Sequence, residues 1–540
     1  MKIDSPTFLS ETTFISSSVS FSSGSQKFGN TLDDEHHFTG SLFISGSKIS
    51  LDDGRNNIGI GANVFAAHAG GGGQNIAIGS NVMKDTDANA TSLSSRGNVF
   101  LGYNVGSNTM GGTAATEFNV IIGDQAAVGA LDGAQNNTAI GRRALHVLTQ
   151  GDYNVAIGMD AGYELTTGAN NVLIGAEAGN SFQTTSNTVL IGYGAGDAIN
   201  STDANGTIAI GYQALQDLTS GQQTTAVGYR ALADITTGDY NTAVGYQSGD
   251  GITTGLNNTL MGWGAGGATD FNAGSSNVML GAEAGGSAIA PYSNVYIGYR
   301  SAGLNRQGGY NVMIGDQAGY SPVGNQYSGS HNVFMGYAAG YNTGADNNVF
   351  IGSTSGQYVT GSSNTFVGRS AGTGGQTSAP FSSGTSNVAV GYYAMRVFTT
   401  GYSNTVMGTN AGDAISTGYE NAIFGQGAGG SLTDGHDNVI IGASAGTTTT
   451  SVGSAVIIGD FAGASGNITD AADGVVLIGA GAGRYLTTGV NNLAIGYTAM
   501  VGHTTGHSNI AIGYGAMDDT DAGSNSNDSD HNLAIGVNSM

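Results

Sequence analysis

The sequence predicts an all-β fold, a parallel β-solenoid of the β-roll kind with about 17 residues per coil and 27 coils. Three observations carry that expectation. The composition is unlike that of an ordinary globular chain: 540 residues include 94 Gly and 4 Pro, and only 10% are charged, against a usual figure of about 25%. A unit closing on glycine recurs 27 times between Gly61 and Gly536, and 14 of its 26 spacings are 17 residues. Each unit carries a short apolar run just before that glycine, too short for a helix and rich in β-branched residues.

The unit is plain in NVAIGMDAGYELTTGAN (154–170), NVLIGAEAGNSFQTTSN (171–187) and NTVMGTNAGDAISTGYE (404–420). Glycine in such numbers without a G-X-Y period excludes collagen, and 39% apolar residues are too many for a disordered chain. The residue before the closing glycine is Ile, Val, Leu, Met or Phe in every copy, as in Ile157, Ile174 and Met407. The residue three before it is mostly β-branched, as in Val155 and Thr405. These two share one face of a strand, and the residue between them faces the other way. A solenoid standing alone would place polar residues at that middle position. It is apolar instead in 26 copies, including Ala156, Leu173, Phe334 and Phe366, with Gly59 the exception. A strand apolar on both faces needs cover on both. The expected cover is further copies of the chain, in an intertwined or side-by-side homotrimer.

Around the strand, each position has a physical role. The closing glycine reads as a turn residue able to take positive φ. Three residues later the side chain is always small (20 Ala, 4 Ser and 3 Val), as at a corner where backbone passes close to backbone. Asn stands four before the glycine in 22 copies, and its carboxamide has donors and acceptors for a ladder running from coil to coil along one edge of the fibre. Tyr follows the glycine in 10 copies and Trp263 in one. That row reads first as half-buried β surface, with sugar stacking as the alternative. Pro291, Pro322 and Pro380 fall between turn and strand, where no ladder donor is lost. At ~4.8 Å per coil the stack would run about 130 Å.

Two regions are expected: an N-terminal β head at 1–55, Ser/Thr-rich and outside the repeat, and the repeat shaft at 56–540. The last copy ends four residues past Gly536, and no globular tip is read after it. The start, MKIDSPTFLSETTF, shows no charged region followed by an apolar run, so no export signal is expected. No apolar stretch reaches membrane-spanning length. The formal charge of −24, from 38 Asp+Glu against 14 Lys+Arg, argues against nucleic acid and against anionic membrane surfaces. With no cysteine there are no disulfides and no thiolate metal site.

Catalytic chemistry has little to stand on. Depolymerases that are also β-helical need paired carboxylates, and the shaft has five Glu: Glu117, Glu164, Glu177, Glu283 and Glu420. Asp85, Asp87 and Asn89 begin like a calcium loop, but Ala90 replaces its glycine and no Glu closes it; Asp203, Asn205 and Gly206 form a similar fragment. The acidic stretch 518–530 reads as a solvated loop, with weak Ca²⁺ binding as the alternative. His36-His37 and the pair His503 and His507 lack further ligands. No catalytic, cofactor or metal residue is assigned. Recognition is expected where the repeat lengthens to 23 residues, at Gly79–Gly102, Gly368–Gly391 and Gly513–Gly536, with loop-length drift without function as the alternative.

The N-x-V-A-I-G-x-x-A-G unit followed by a T-T-G turn resembles the head of trimeric autotransporter adhesins, a trimer of left-handed parallel β-rolls. It also resembles repeat-rich tail fibre and virion structural proteins of marine bacteriophages. The stretch GSQKFGNTLDDEHHFTGSLFISGS (24–47) is similar to a segment near the start of those phage proteins. The resemblances cover nearly the whole chain. They imply a non-enzymatic fibre on the surface of a virion, a homotrimer. Residues 1–55 would bind another virion protein, and the fibre would contribute to host attachment through a surface glycan. A cell-surface trimeric adhesin fragment is the alternative, and a polysaccharide depolymerase tailspike a more distant one.

Overall fold

The structure, a computed structural model, describes residues 56–65, 73–84, 95–108, 114–267, 273–303, 308–322, 329–375, 377–378, 381–518 and 530–539. The head expected at 1–55 therefore lies outside the described residues, as do Pro380 and the Asp85–Ala90 fragment. The repeat falls within one compact unit, Asp52–Met540.

Among the described residues there are 27 strands, numbered in chain order from β1 (Ile58–Ile60) to β27 (Leu533–Ile535), and two short 3₁₀ turns as the only helical elements. Each strand pairs in parallel with the next, always in register. Between β6 (Val155–Ile157) and β7 (Val172–Ile174) the partners are Val155↔Val172, Ala156↔Leu173 and Ile157↔Ile174. The parallel solenoid predicted from the repeat is the fold observed. Most strands are only three residues long, yet the hydrogen-bond ladder continues round the coil. Val155 N–H donates forward to Asn171 O (2.8 Å), Gly158 N–H back to Ile140 O (2.8 Å) and Gly162 N–H forward to Ala178 O (2.9 Å). The turns are thus satisfied by neighbouring coils rather than by water, as a buried backbone requires.

The strand faces are opposite to the expectation. The middle residue points inward and is fully buried, as at Ala156, Leu173, Phe334 and Phe366. Its two flanking neighbours point outward and are half exposed, with Ile157 at 36% and Met407 at 40%. A three-residue strand gives one side chain to one face and two to the other, and the interior of so short a coil holds only the single one. The outward row therefore holds two side chains per coil, not one, and both are apolar except where Thr138, Thr225, Thr242, Thr259, Thr365 or Thr405 stands first.

Core volume is shared within each coil between that middle residue and the residue four after the closing glycine. Ala209 is matched by Leu215 and Ala226 by Leu232, all fully buried. Where the strand brings Phe350, the partner is Gly356, and a Cβ there would lie 2.3 Å from the Phe350 ring. Two coils pair small with small, Ala156 with Gly162 and Ala243 with Gly249. Their space is taken by neighbours: a Cβ on Gly162 would lie 2.7 Å from Leu173 and 3.0 Å from Leu145. Close packing is thereby kept coil by coil.

The other repeated positions behave as predicted. The closing glycine has positive φ (140° at Gly158), and a Cβ there would lie 2.4 Å from the carbonyl oxygen of Gly175 in the next coil. Ala161 and Ala178 are fully buried at the corner. Where serine replaces alanine there, Ser301 Oγ donates to Met313 O of the next coil (2.8 Å). The asparagines form the expected ladder, but inside the coil. Asn171 donates to Asn154 Oδ1 from both N (3.1 Å) and Nδ2 (2.9 Å), and Nδ2 also donates to Thr185 O (2.9 Å). The ladder is interrupted by Thr188, Thr207 and Thr224, and again by Ala455 and Val475.

Candidate interaction surface

Among the described residues, three surfaces of the shaft stand out as open to partners. The first is the outer strand face, formed by the half-exposed residues that flank each core residue; Ile60, Ile140, Met261, Met335 and Ile441 are between 37% and 49% exposed.

The second is the aromatic column just after the closing glycine. Tyr193, Tyr212, Tyr229 and Tyr246 stack with centroid separations of 5.4, 5.1 and 5.0 Å, and every ring is more than 40% exposed. In-register coils impose this stacking, because equivalent side chains sit one strand spacing apart. Tyr193 donates to Glu177, and that bond, with the carboxylate charge beside it, raises the phenol above its ordinary range. Trp263 takes the same position in the next coil, 53% exposed.

The third surface is a groove of about 500 Å³ beside Trp263, lined also by Gln247, Asp250, Glu283, Arg300 and Tyr320. It exists because the side chain five after the closing glycine is missing in three successive coils, at Gly267, Gly286 and Gly303. Asp250 and Tyr320 hold the same position in the coils on either side. Among the described residues, the charges in the groove are paired. Glu283 meets Arg300, and Asp250 accepts from Arg230 at 3.2 Å. Gln247 Nε2 donates to Asp250 Oδ2 (3.2 Å).

Of the five Glu considered for catalysis, four hold side-chain contacts to other residue types. Glu117 pairs with Arg96 (2.9 Å), Glu164 accepts from Gln183 (3.4 Å), and Glu177 and Glu283 hold the contacts given above. His503 is fully buried, with Nε2 at 3.2 Å from Asn509 Nδ2, whereas exposed His507 accepts from Val490 N–H (3.1 Å). Asn205 Oδ1 accepts from Ser186 N–H (2.7 Å). Among the described residues no three His, Asp or Glu side chains are grouped to hold a metal ion, and no helix is long and apolar enough to cross a membrane. His36-His37 and most of the acidic 518–530 stretch lie outside the described residues. So do parts of all three 23-residue spacings, at 85–94, 376, 379–380 and 519–529.

Fold and surface together define a parallel β-solenoid repeat protein. No family model matches the chain, and no curated protein matches it.

Proposed function

We propose that this chain is an external structural fibre of a bacteriophage virion, a homotrimer that contributes to attachment to the host surface. The observation that carries the proposal is the combination of an unbroken in-register stack with an apolar outer face along it. Such a stack has rigidity along its axis, and its apolar face calls for cover by further copies. The similarity of residues 24–47 to a segment near the start of phage fibre proteins supports the virion setting and gives residues 1–55 the role of attachment to another virion protein. The function is mechanical and adhesive, with no catalytic residue, cofactor or metal.

Gold-labelled antibody against the shaft, applied to purified particles, tests the location. Labelling of an external appendage is expected, and its absence from particles that contain every other structural protein overturns the proposal. Light scattering tests the assembly: a trimer with no folded monomer at low concentration is expected.

A further inference from the structure

We propose that the groove beside Trp263 is a binding site for a short, neutral oligosaccharide. The inference rests on the host-attachment proposal for its biological setting, but the site stands on its own geometry. Its volume of about 500 Å³ is in the range of small-ligand sites. Its three glycine-bearing coils, at ~4.8 Å each, give a floor about 14 Å long, the reach of a few linked sugar rings. Asp250 and Tyr320 end it in the coils before and after, so it is bounded rather than an open furrow along the shaft.

The lining suits a sugar chain. Trp263 is the only tryptophan in the chain and is 53% exposed at the groove wall, so a large aromatic face is free to stack on the C–H face of a pyranose. The polar groups are hydroxyl partners. Ion-paired Glu283 and Asp250 still have acceptor lone pairs, Arg300 has N–H donors beyond its bond to Glu283, and Gln247 has its amide oxygen. Among the described residues, each cation at the groove is matched by a carboxylate, Arg300 by Glu283 and Arg230 by Asp250. A phosphate or sulfate would need a cation without such a partner, so the chemistry favours hydroxyl-rich, uncharged rings. Pairing also holds the groups in place, which lowers the entropy cost of binding.

The single tryptophan makes the full-length protein its own sensor. Linear neutral tri- and tetrasaccharides of glucose, galactose, mannose and N-acetylglucosamine would be titrated, following tryptophan emission and, independently, heat of binding. A saturable change in both signals with at least one of them is expected. Glu283→Ala with Arg300→Ala removes both partners of one pair and leaves no lone charge; it should weaken binding at least tenfold with the melting temperature unchanged. Gly286→Gln, which puts a side chain across the floor, should do the same. If no neutral saccharide binds at millimolar concentration, the proposal fails. It also fails if only sulfated or phosphorylated saccharides or extended peptides bind, or if the double variant binds like the parent. The assay uses purified protein, so its outcome is separate from particle labelling: saccharide binding without particle labelling would leave the groove standing and remove the virion fibre.

Discussion

In the coils of β9 (Ile208–Ile210) and β10 (Thr225–Val227), the strand puts alanine into the core and leucine closes it from the following turn. In the coils of β17 (Val349–Ile351) and β18 (Thr365–Val367), phenylalanine comes from the strand and glycine stands in the turn. Phe350 and Phe366 stack at 5.1 Å with their rings nearly parallel. Both arrangements keep the same backbone. The turn residue is left-handed in either case, with φ of 53° at Leu215 and 57° at Gly356. A left-handed leucine costs about 1–2 kcal/mol in backbone energy, and burial of its side chain, about 1.5–3 kcal/mol, offsets it. What the solenoid conserves is therefore the volume inside a coil, with either of two positions free to supply it.

The largest effect should come from emptying one of these cores. Phe350→Ala removes a ring from between two others and should cost about 3–5 kcal/mol, whereas Leu232→Ala should cost about 2–5 kcal/mol. Denaturant unfolding of both variants would rank them. The volume rule then makes a prediction that ordinary additivity does not. Gly356→Leu alone should overpack the coil by about 1–3 kcal/mol. Combined with Phe350→Ala, it recreates the arrangement of Ala226 with Leu232 and should return stability to within about 1.5 kcal/mol of the parent. Strictly additive losses in the double variant would show that the two regions are held by different packing and not by a shared volume.

A smaller effect is expected at the ladder. Asn404 Oδ1 accepts from Asn421 N (3.1 Å) and Nδ2 (2.9 Å), while its own Nδ2 donates to Gly418 O (2.8 Å). Asn404→Ala leaves these buried groups unpaired and should cost about 1–3 kcal/mol. Asn404→Thr should cost less, because Thr188 already fills such a position by donating from Oγ1 to Asn171 Oδ1 (2.7 Å). Hydrogen exchange of the adjoining amides would show the difference.

The smallest effect is that of pH. Asp197, Asp234 and Asp413 are raised above the ordinary carboxylate range, chiefly by burial, with the charges of Glu177 and Asp250 adding to the first two. The folded chain thus holds their protons more tightly than the unfolded chain. As pH falls through the raised values towards the ordinary carboxylate value, these groups add stability, and below it they add no more. Replacing all three by Asn should flatten that gain in a melting series against pH.

Much of this was legible from sequence, for a physical reason: a solenoid writes its contacts at one fixed spacing. The strand, the left-handed closing glycine at Gly158, the tight corner at Ala161 and the stacking of Asn154 on Asn171 all follow from that spacing. The facing of the strand did not follow. Alternation separates Ala156 from Val155 and Ile157, but with both sets apolar it does not say which set is inside. The matching of Ala226 to Leu232 and of Phe350 to Gly356 was present in the letters, hidden when each position is read down the repeat by itself. The groove was hidden in the same way, since Gly267, Gly286 and Gly303 are three glycines among 94. Their meaning depends on Trp263, Glu283 and Arg300 lying alongside.

In-register pairing also bears on how such a shaft changes over generations. Each coil offers its neighbours nearly the same two edges, and most coils, such as that of Ala209 and Leu215, fill their own interior. Unequal recombination that removes or duplicates one whole unit therefore rejoins compatible surfaces without a frame to repair. Shaft length is then inherited in steps of one strand spacing, about 4.8 Å. The coils of Ala156 and Ala243, which take leucine side chains from both neighbours, are the places where such a deletion would leave a hole.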